Sequence, residues 1–169
     1  GINDDSQMTA ERIAAGMRPA SDQRLFWIGN TGTSPVRERL MEIAGGDQRI
    51  HAIDITWAKQ EGPERRASEQ LMGTQEAKYV SLPDHCDYKY LIDIEGIGYS
   101  ARLKILMFSQ RPVFIQDRPW REFYFDWMEP FHHYIPVAHD LSDLGKQLDW
   151  AESHPEECRQ IAANALAFA

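Results

Sequence analysis

Two rhythms of apolar and polar positions alternate along this chain, one with the period of a strand and one with the period of a helix. The run Leu25-Phe26-Trp27-Ile28 is short, continuous and closed by Gly29, the form of a buried strand. A glycine- and threonine-rich loop follows, and Pro35 is placed to open a helix over 35–44 that Gly45 and Gly46 stop. Residues 50–55 alternate as a strand, and 57–80 are polar with a weak helical pattern near 67–72. From Tyr88 the alternation is regular: strand 88–94, helix from about Arg102, strand 112–115, short helix 120–128, strand 133–137, then helices 141–152 and 155–168. Strands alternating with helices, with little hairpin signal, predict an α/β unit: a parallel sheet with helices on both faces. Residues 1–23 read as a polar lead-in with one helical pattern at 10–17, and 24–169 as the domain proper.

Composition narrows the function classes. At 169 residues, one core is the expectation. The net charge of -8 argues against nucleic acid, which needs clustered Lys and Arg, but not against one small anion. Two cysteines, Cys86 and Cys158, cannot build a metal framework; they either pair with each other or stay reduced. No apolar run has the roughly twenty residues of a membrane helix. The chain opens on glycine without a signal-peptide pattern and closes on an uncapped helix, so it reads as a piece of a longer protein.

The most informative stretch is KYLIDIEGIGYSARLKILMF, residues 89–108. A strand breaks at Glu95-Gly96-Ile97-Gly98-Tyr99, and a helix resumes with Ser100 as its N-cap and Arg102 in its first turn. A glycine loop feeding a helix N-terminus leaves N–H groups facing outward, which suits a phosphate, and Arg102 adds a bidentate cation. The plainer reading of Arg102 is a surface ion pair. For Gly96 and Gly98 it is a tight turn, and for Thr33 and Ser34 it is capping of the helix at Pro35. His132-His133 lacks a third ligand at regular spacing, and two consecutive strand residues face opposite ways, so packed histidines are expected rather than a metal site. Trp120, Phe123, Tyr124, Phe125, Trp127 and Phe131 read as core and interface packing.

DHCDYKYLIDIEGIGYSARLKILMFSQRPVFIQ and EFYFDWMEPFHHYIPVAHDLSDL resemble the lipopolysaccharide-modifying and Rumi-type O-glycosyltransferases, the family of the fungal capsule-associated protein. FWIGNTGTSPVRERL resembles that family's upstream F-x-R-G-S-x-T-S-P-x-R element, with Ile28 standing where the family carries arginine and a loop one residue longer. The resemblance implies a Rossmann-like half of a GT-B fold, the C-terminal donor-binding half. It implies metal-independent, inverting transfer from a nucleotide sugar, with a uridine diphosphate sugar as the expected donor, to a glycan, lipopolysaccharide or protein hydroxyl. The acceptor and the carboxylate base then belong to the other half, so no catalytic residue, metal or cofactor is assigned to this chain.

Carried over by motif, the donor site comprises Gly29, Thr33, Ser34 and Arg37 with Gly96, Ile97, Gly98, Tyr99, Ser100, Ala101 and Arg102. Glu95 joins it either through a sugar or ribose hydroxyl or remains a solvated loop acid. His85, beside Asp84 ahead of the central strand, is the candidate for the base and ribose. Family analogy places such an enzyme in the cytoplasm at the inner membrane face. The competing class is a non-catalytic Rossmann-like interaction module whose donor pocket has decayed, as Ile28 hints. A dehydrogenase is weaker, because the G-x-G-x-x-G fingerprint is absent.

Overall fold

A computed structural model describes residues 14, 16–55, 84–96, 102–119 and 123–169. Five parallel strands occur among them: β1 (Asp22–Gly29), β2 (Ile50–Asp54), β3 (Tyr88–Asp93), β4 (Val113–Gln116) and β5 (Ile135–Val137). Their spatial order is β2-β1-β3-β4-β5. The helices are α1 (Pro35–Gly46), α2 (Arg102–Met107), α3 (Leu144–Ser153) and α4 (Pro155–Phe168).

Period-two alternation explains how one sheet serves two cores. Leu25, Trp27, Tyr90, Ile92, Phe114 and Ile135 point to the face covered by α1 and α3, where Leu40, Leu144 and Leu148 meet them. Phe26, Ile28, Leu91, Val113 and Ile115 point to the other face, closed by Leu103, Leu106 and Met107 of α2. Helix α4 contributes to both, with Ile161 on the first core and Ala165 on the second. The expected Rossmann-like sheet with helices on both faces is therefore present.

The chain runs outward from β1 to β2, then reverses to build β3, β4 and β5. The direction changes between β1 and β3, and the region beyond their C-terminal ends, here called the crevice, is the place where open α/β sheets bind ligands. Both motifs singled out in the sequence follow these two strands.

Several local expectations are corrected. Helix α1 runs through Gly45 and Gly46 and ends at Asp47, whose carboxylate binds the Arg49 backbone N–H at 2.9 Å and its guanidinium at 2.8 Å. The helix expected from 141 starts at Leu144, because Leu141 has φ 62°, which a helix cannot include. Residues 123–127 form a 3₁₀ turn rather than an α-helix. His132 and His133 lie in the turn before β5, with rings 4.5 Å apart rather than on opposite faces. His133 Nδ1 accepts the Glu129 N–H at 2.8 Å, so it is a hydrogen-bonded histidine. Phe125 enters the core, but Trp127 is 75% and Phe131 44% exposed. Strand β1 takes in Asp22 and Gln23, and the carbonyls of Gly16 and Arg18 accept hydrogen bonds from buried Arg111. Cys86 and Cys158 are both reduced and buried. The 57–80 segment and Trp120 lie outside the described residues.

On β2, His51 stacks on Phe26 and Tyr88, and its Nδ1 faces Arg24 Nη1 at 3.2 Å. Arginine can only donate, so Nδ1 is the acceptor of a neutral ring. Burial lowers the pKa of His51, with Arg24 adding to the effect; burial and His132 lower that of His133. Both rings are held neutral by folding, so their stabilisation is complete above the ordinary histidine pKa and declines as pH falls through the depressed folded values. The urea midpoint should drop between pH 7.5 and 5.5, about the ordinary histidine value near 6.5. His51→Phe should flatten that slope; an unaltered slope would assign the dependence elsewhere.

Candidate functional site

The crevice is assembled from the loop after β1. Gly29 closes the strand under the Trp27 indole: a Cβ there would lie 2.5 Å from Trp27 Cζ2, closer than any side chain allows. Asn30 turns the chain by accepting the Gly32 N–H at 2.8 Å on Oδ1, opening the 3₁₀ turn Thr31–Thr33. Thr31 anchors this turn to the end of β2, donating its hydroxyl to Asp54 Oδ2 at 2.9 Å. Thr33 donates to the Asn30 carbonyl at 3.0 Å. Ser34 occupies the N-cap position of α1, but its hydroxyl makes no cap bond. It donates instead to Glu95 Oε1, 3.3 Å away on the loop after β3. Capping therefore does not explain Ser34; tying two loops together does.

Arg37, on the first turn of α1, makes the main tie. Its Nε donates to the Glu95 carbonyl at 2.8 Å, Nη2 to the Ile94 carbonyl at 3.2 Å and Nη1 to the Asn30 carbonyl at 3.1 Å. Its guanidinium carbon also lies 5.3 Å from the Trp27 ring centroid, within cation–π range. Gly96 makes this possible, because a Cβ there would sit 2.7 Å from Arg37 Nη2. Burial and the positive charge of Arg102 lower the Arg37 pKa to about 10, still leaving it protonated at neutral pH.

On the other side of the crevice, Gln116 at the end of β4 accepts the Glu95 N–H at 2.9 Å and donates to the His139 carbonyl at 2.9 Å. His139 Nε2 lies 3.2 Å from Glu95 Oε1, so this carboxylate is shared between Ser34 and His139. Below it, Arg118 Nη1 forms an ion pair at 2.7 Å with Asp93 Oδ2. The contact is close without being an aligned hydrogen bond, and Oδ2 has no other donor among the described residues. Arg118 also donates to the Asp93 carbonyl at 2.8 Å and the Gln116 carbonyl at 3.0 Å. Arg102, the first residue of α2, donates from Nη1 to the Ile28 carbonyl. Burial lowers its pKa, and Asp93 partly offsets this. Three guanidiniums thus share one neighbourhood with two carboxylates, Asp93 and Glu95.

A model of glycosyl transferase family 90 matches residues 17–169. The chain belongs to this family. Protein O-glucosyltransferase 1 of Rattus norvegicus is 32% identical over 136 residues, covering 80% of this chain and 34% of its own length. Protein O-glucosyltransferase 3 of Homo sapiens is 30% identical over 159 residues, covering 86% of the chain and 31% of its own. The chain spans about a third of the length of these curated relatives. The C-terminal domain of a glycosyl transferase group 1 family protein (LpcC) from Francisella tularensis shares the fold with a TM-score of 0.54 at 10% identity. It covers 94% of this chain and 89% of that one. TarM aligns with a TM-score of 0.52 at 11% identity, over 90% of this chain and 32% of its own.

In this family-90 chain the structure brings Gly29, Thr33, Ser34, Arg37, Glu95, Gly96 and Arg102 to one crevice. Ile97, Gly98, Tyr99, Ser100 and Ala101 lie outside the described residues. His85 does not join them. It precedes β3, at the opposite end of the sheet, where its buried ring packs edge-on against Phe26 at 4.8 Å. Ile28 points its side chain into the core against α2, so only its carbonyl reaches the site. Sequence reasoning missed Asn30, Asp93, Gln116, Arg118 and His139. The available signal was position: polar residues at the C-terminal ends of strands β3, β4 and β5 converge wherever the sheet is parallel.

Arg37→Met should remove three carbonyl partners at once and lower stability by about 2–4 kcal/mol, read from the urea midpoint. Gly96→Ala should displace the same guanidinium and lose a comparable part of that stability. If Gly96→Ala melts like the parent, Arg37 is not pinned as described.

Proposed function

We propose that this chain is the donor-binding half of a glycosyltransferase, with the diphosphate of a nucleotide sugar seated between the C-terminal ends of β1 and β3. One observation carries the reading. The glycine element after β1 and the Glu95-Gly96 corner after β3, far apart in sequence, are locked together by Arg37 at the reversal of the sheet. Three guanidiniums, of Arg37, Arg102 and Arg118, gather at these strand ends beside Asp93 and Glu95, although the chain as a whole is acidic. A leaving nucleoside diphosphate needs this kind of fixed cationic field.

The relatives named protein O-glucosyltransferases favour a glucosyl donor and a protein hydroxyl as acceptor. Inversion with a carboxylate base, and leaving-group stabilisation by arginine rather than metal, complete the proposed reaction. The base and the acceptor site are assigned to the remaining two thirds of such enzymes. Glu95, held by Ser34 and His139, is set to accept from a sugar or ribose hydroxyl rather than to face phosphate.

The alternative, a decayed donor pocket, draws on the Arg102 bond to the Ile28 carbonyl, which makes that guanidinium partly structural. Titration calorimetry separates the two. Uridine diphosphate should bind this chain, and Arg102→Lys, which keeps charge but loses the fork, should weaken it about tenfold with little change in melting. Absence of binding, or full affinity in the variant, would favour the interaction module.

A further inference from the structure

The far end of the sheet holds a cavity of about 720 Å³, a volume suited to a small-molecule ligand. It lies where β3 and β4 begin, beneath α4. Pro19, Pro112, Pro155, Ala162 and Leu166 give it largely apolar walls. Three cations line it, Lys89, Arg111 and Arg159, and no carboxylate does among the described residues, although the chain carries a net charge of -8.

The three cations are not equivalent. Arg111 is committed to the carbonyls of Gly16, Cys86 and Tyr88. Arg159 pairs with exposed Glu156. Lys89 has no ion-pair partner among the described residues; its Nζ rests 5.4 Å from the centroid of the Tyr90 ring. Tyr90 also lines the cavity: the residue is only 1% exposed, and its hydroxyl makes no hydrogen bond among the described residues while staying accessible from the cavity. Burial pushes the Tyr90 pKa up to about 12, so the hydroxyl keeps its proton and can donate.

We propose that this cavity is a ligand site, separate from the crevice, for a small amphipathic carboxylate: its apolar body lies against the prolines and α4, and its carboxylate accepts from Lys89 and Tyr90. A neutral molecule of the same shape would leave the ammonium unmatched, so the site selects by charge.

Octanoate and octan-1-ol, titrated separately into the full chain, share a body and differ in head group. Octanoate should bind one per chain, about tenfold tighter than octan-1-ol. Lys89→Met should remove that preference and leave octan-1-ol unaltered. Tyr90→Phe should weaken octanoate without lowering the melting temperature, since it deletes a hydroxyl without a partner. Equal binding of the two probes, no binding of octanoate, or full octanoate affinity in folded Lys89→Met would overturn the proposal. Uridine diphosphate titrations of Lys89→Met should match the parent, which keeps this test independent of the crevice.

Discussion

One half-buried guanidinium holds the working end of this sheet together. Parallel strands leave their terminal carbonyls without partners in the loops that follow, and at a reversal point no neighbouring strand supplies them. Arg37 supplies them from the side, bonding Asn30 after β1 and Ile94 and Glu95 after β3. Burying a cation is costly, and the cost is offset by three carbonyl dipoles, the Trp27 ring and the nearby Asp93 and Glu95 charges. Two glycines follow from this arrangement. Gly29 leaves room for the indole beneath the arginine, and Gly96 leaves room for the guanidinium itself.

The same tie gives the crevice its electrostatic character. A cation saturated by carbonyls stays in place whether or not an anion is present, so no reorganisation is needed when negative charge arrives. Arg102 and Arg118 are held in the same manner, each through a strand-end carbonyl, and Arg118 is further fixed by Asp93. Arginine suits this use because its planar fork can bind a carbonyl on one edge and present another edge outward. Ile28 fits the same logic. This chain turns the Ile28 side chain into the core and uses the carbonyl as an acceptor for Arg102.

Much of the fold was legible because its signals are local. The run at Leu25 to Ile28, the alternation after Tyr88 and the proline at the head of α4 each declare an element within a few residues. The failures were also local in cause. Gly45 and Gly46 read as a stop, but the end of α1 is decided by the Asp47 carboxylate binding Arg49. Leu141 read as helix because it is apolar, yet its positive φ places it in the turn that Asp143 secures through the Ala138 N–H at 2.8 Å. The site was half legible. Ser34, Arg37, Glu95 and Arg102 stood out through motifs, whereas Gln116, Arg118 and His139 acquire meaning only from strand order, which no local pattern encodes. His85 misled because nearness in sequence to β3 was taken as nearness to its C-terminal end.

The two ends of the sheet illustrate how one acidic chain can present two cationic hollows. At the crevice the guanidiniums are bonded to backbone carbonyls and partly balanced by Asp93 and Glu95. At the cavity under α4 no carboxylate stands among the described lining residues, and the available donors are one ammonium and one phenol on consecutive residues of β3. Strand periodicity normally sends consecutive side chains to opposite faces. Lys89 reaches its neighbour because it stands at the strand's beginning, where its long stem can fold back over the Tyr90 ring. Because β3 supplies Lys89 and Tyr90 at its start and leads into Glu95 beyond its end, one central strand connects the two hollows.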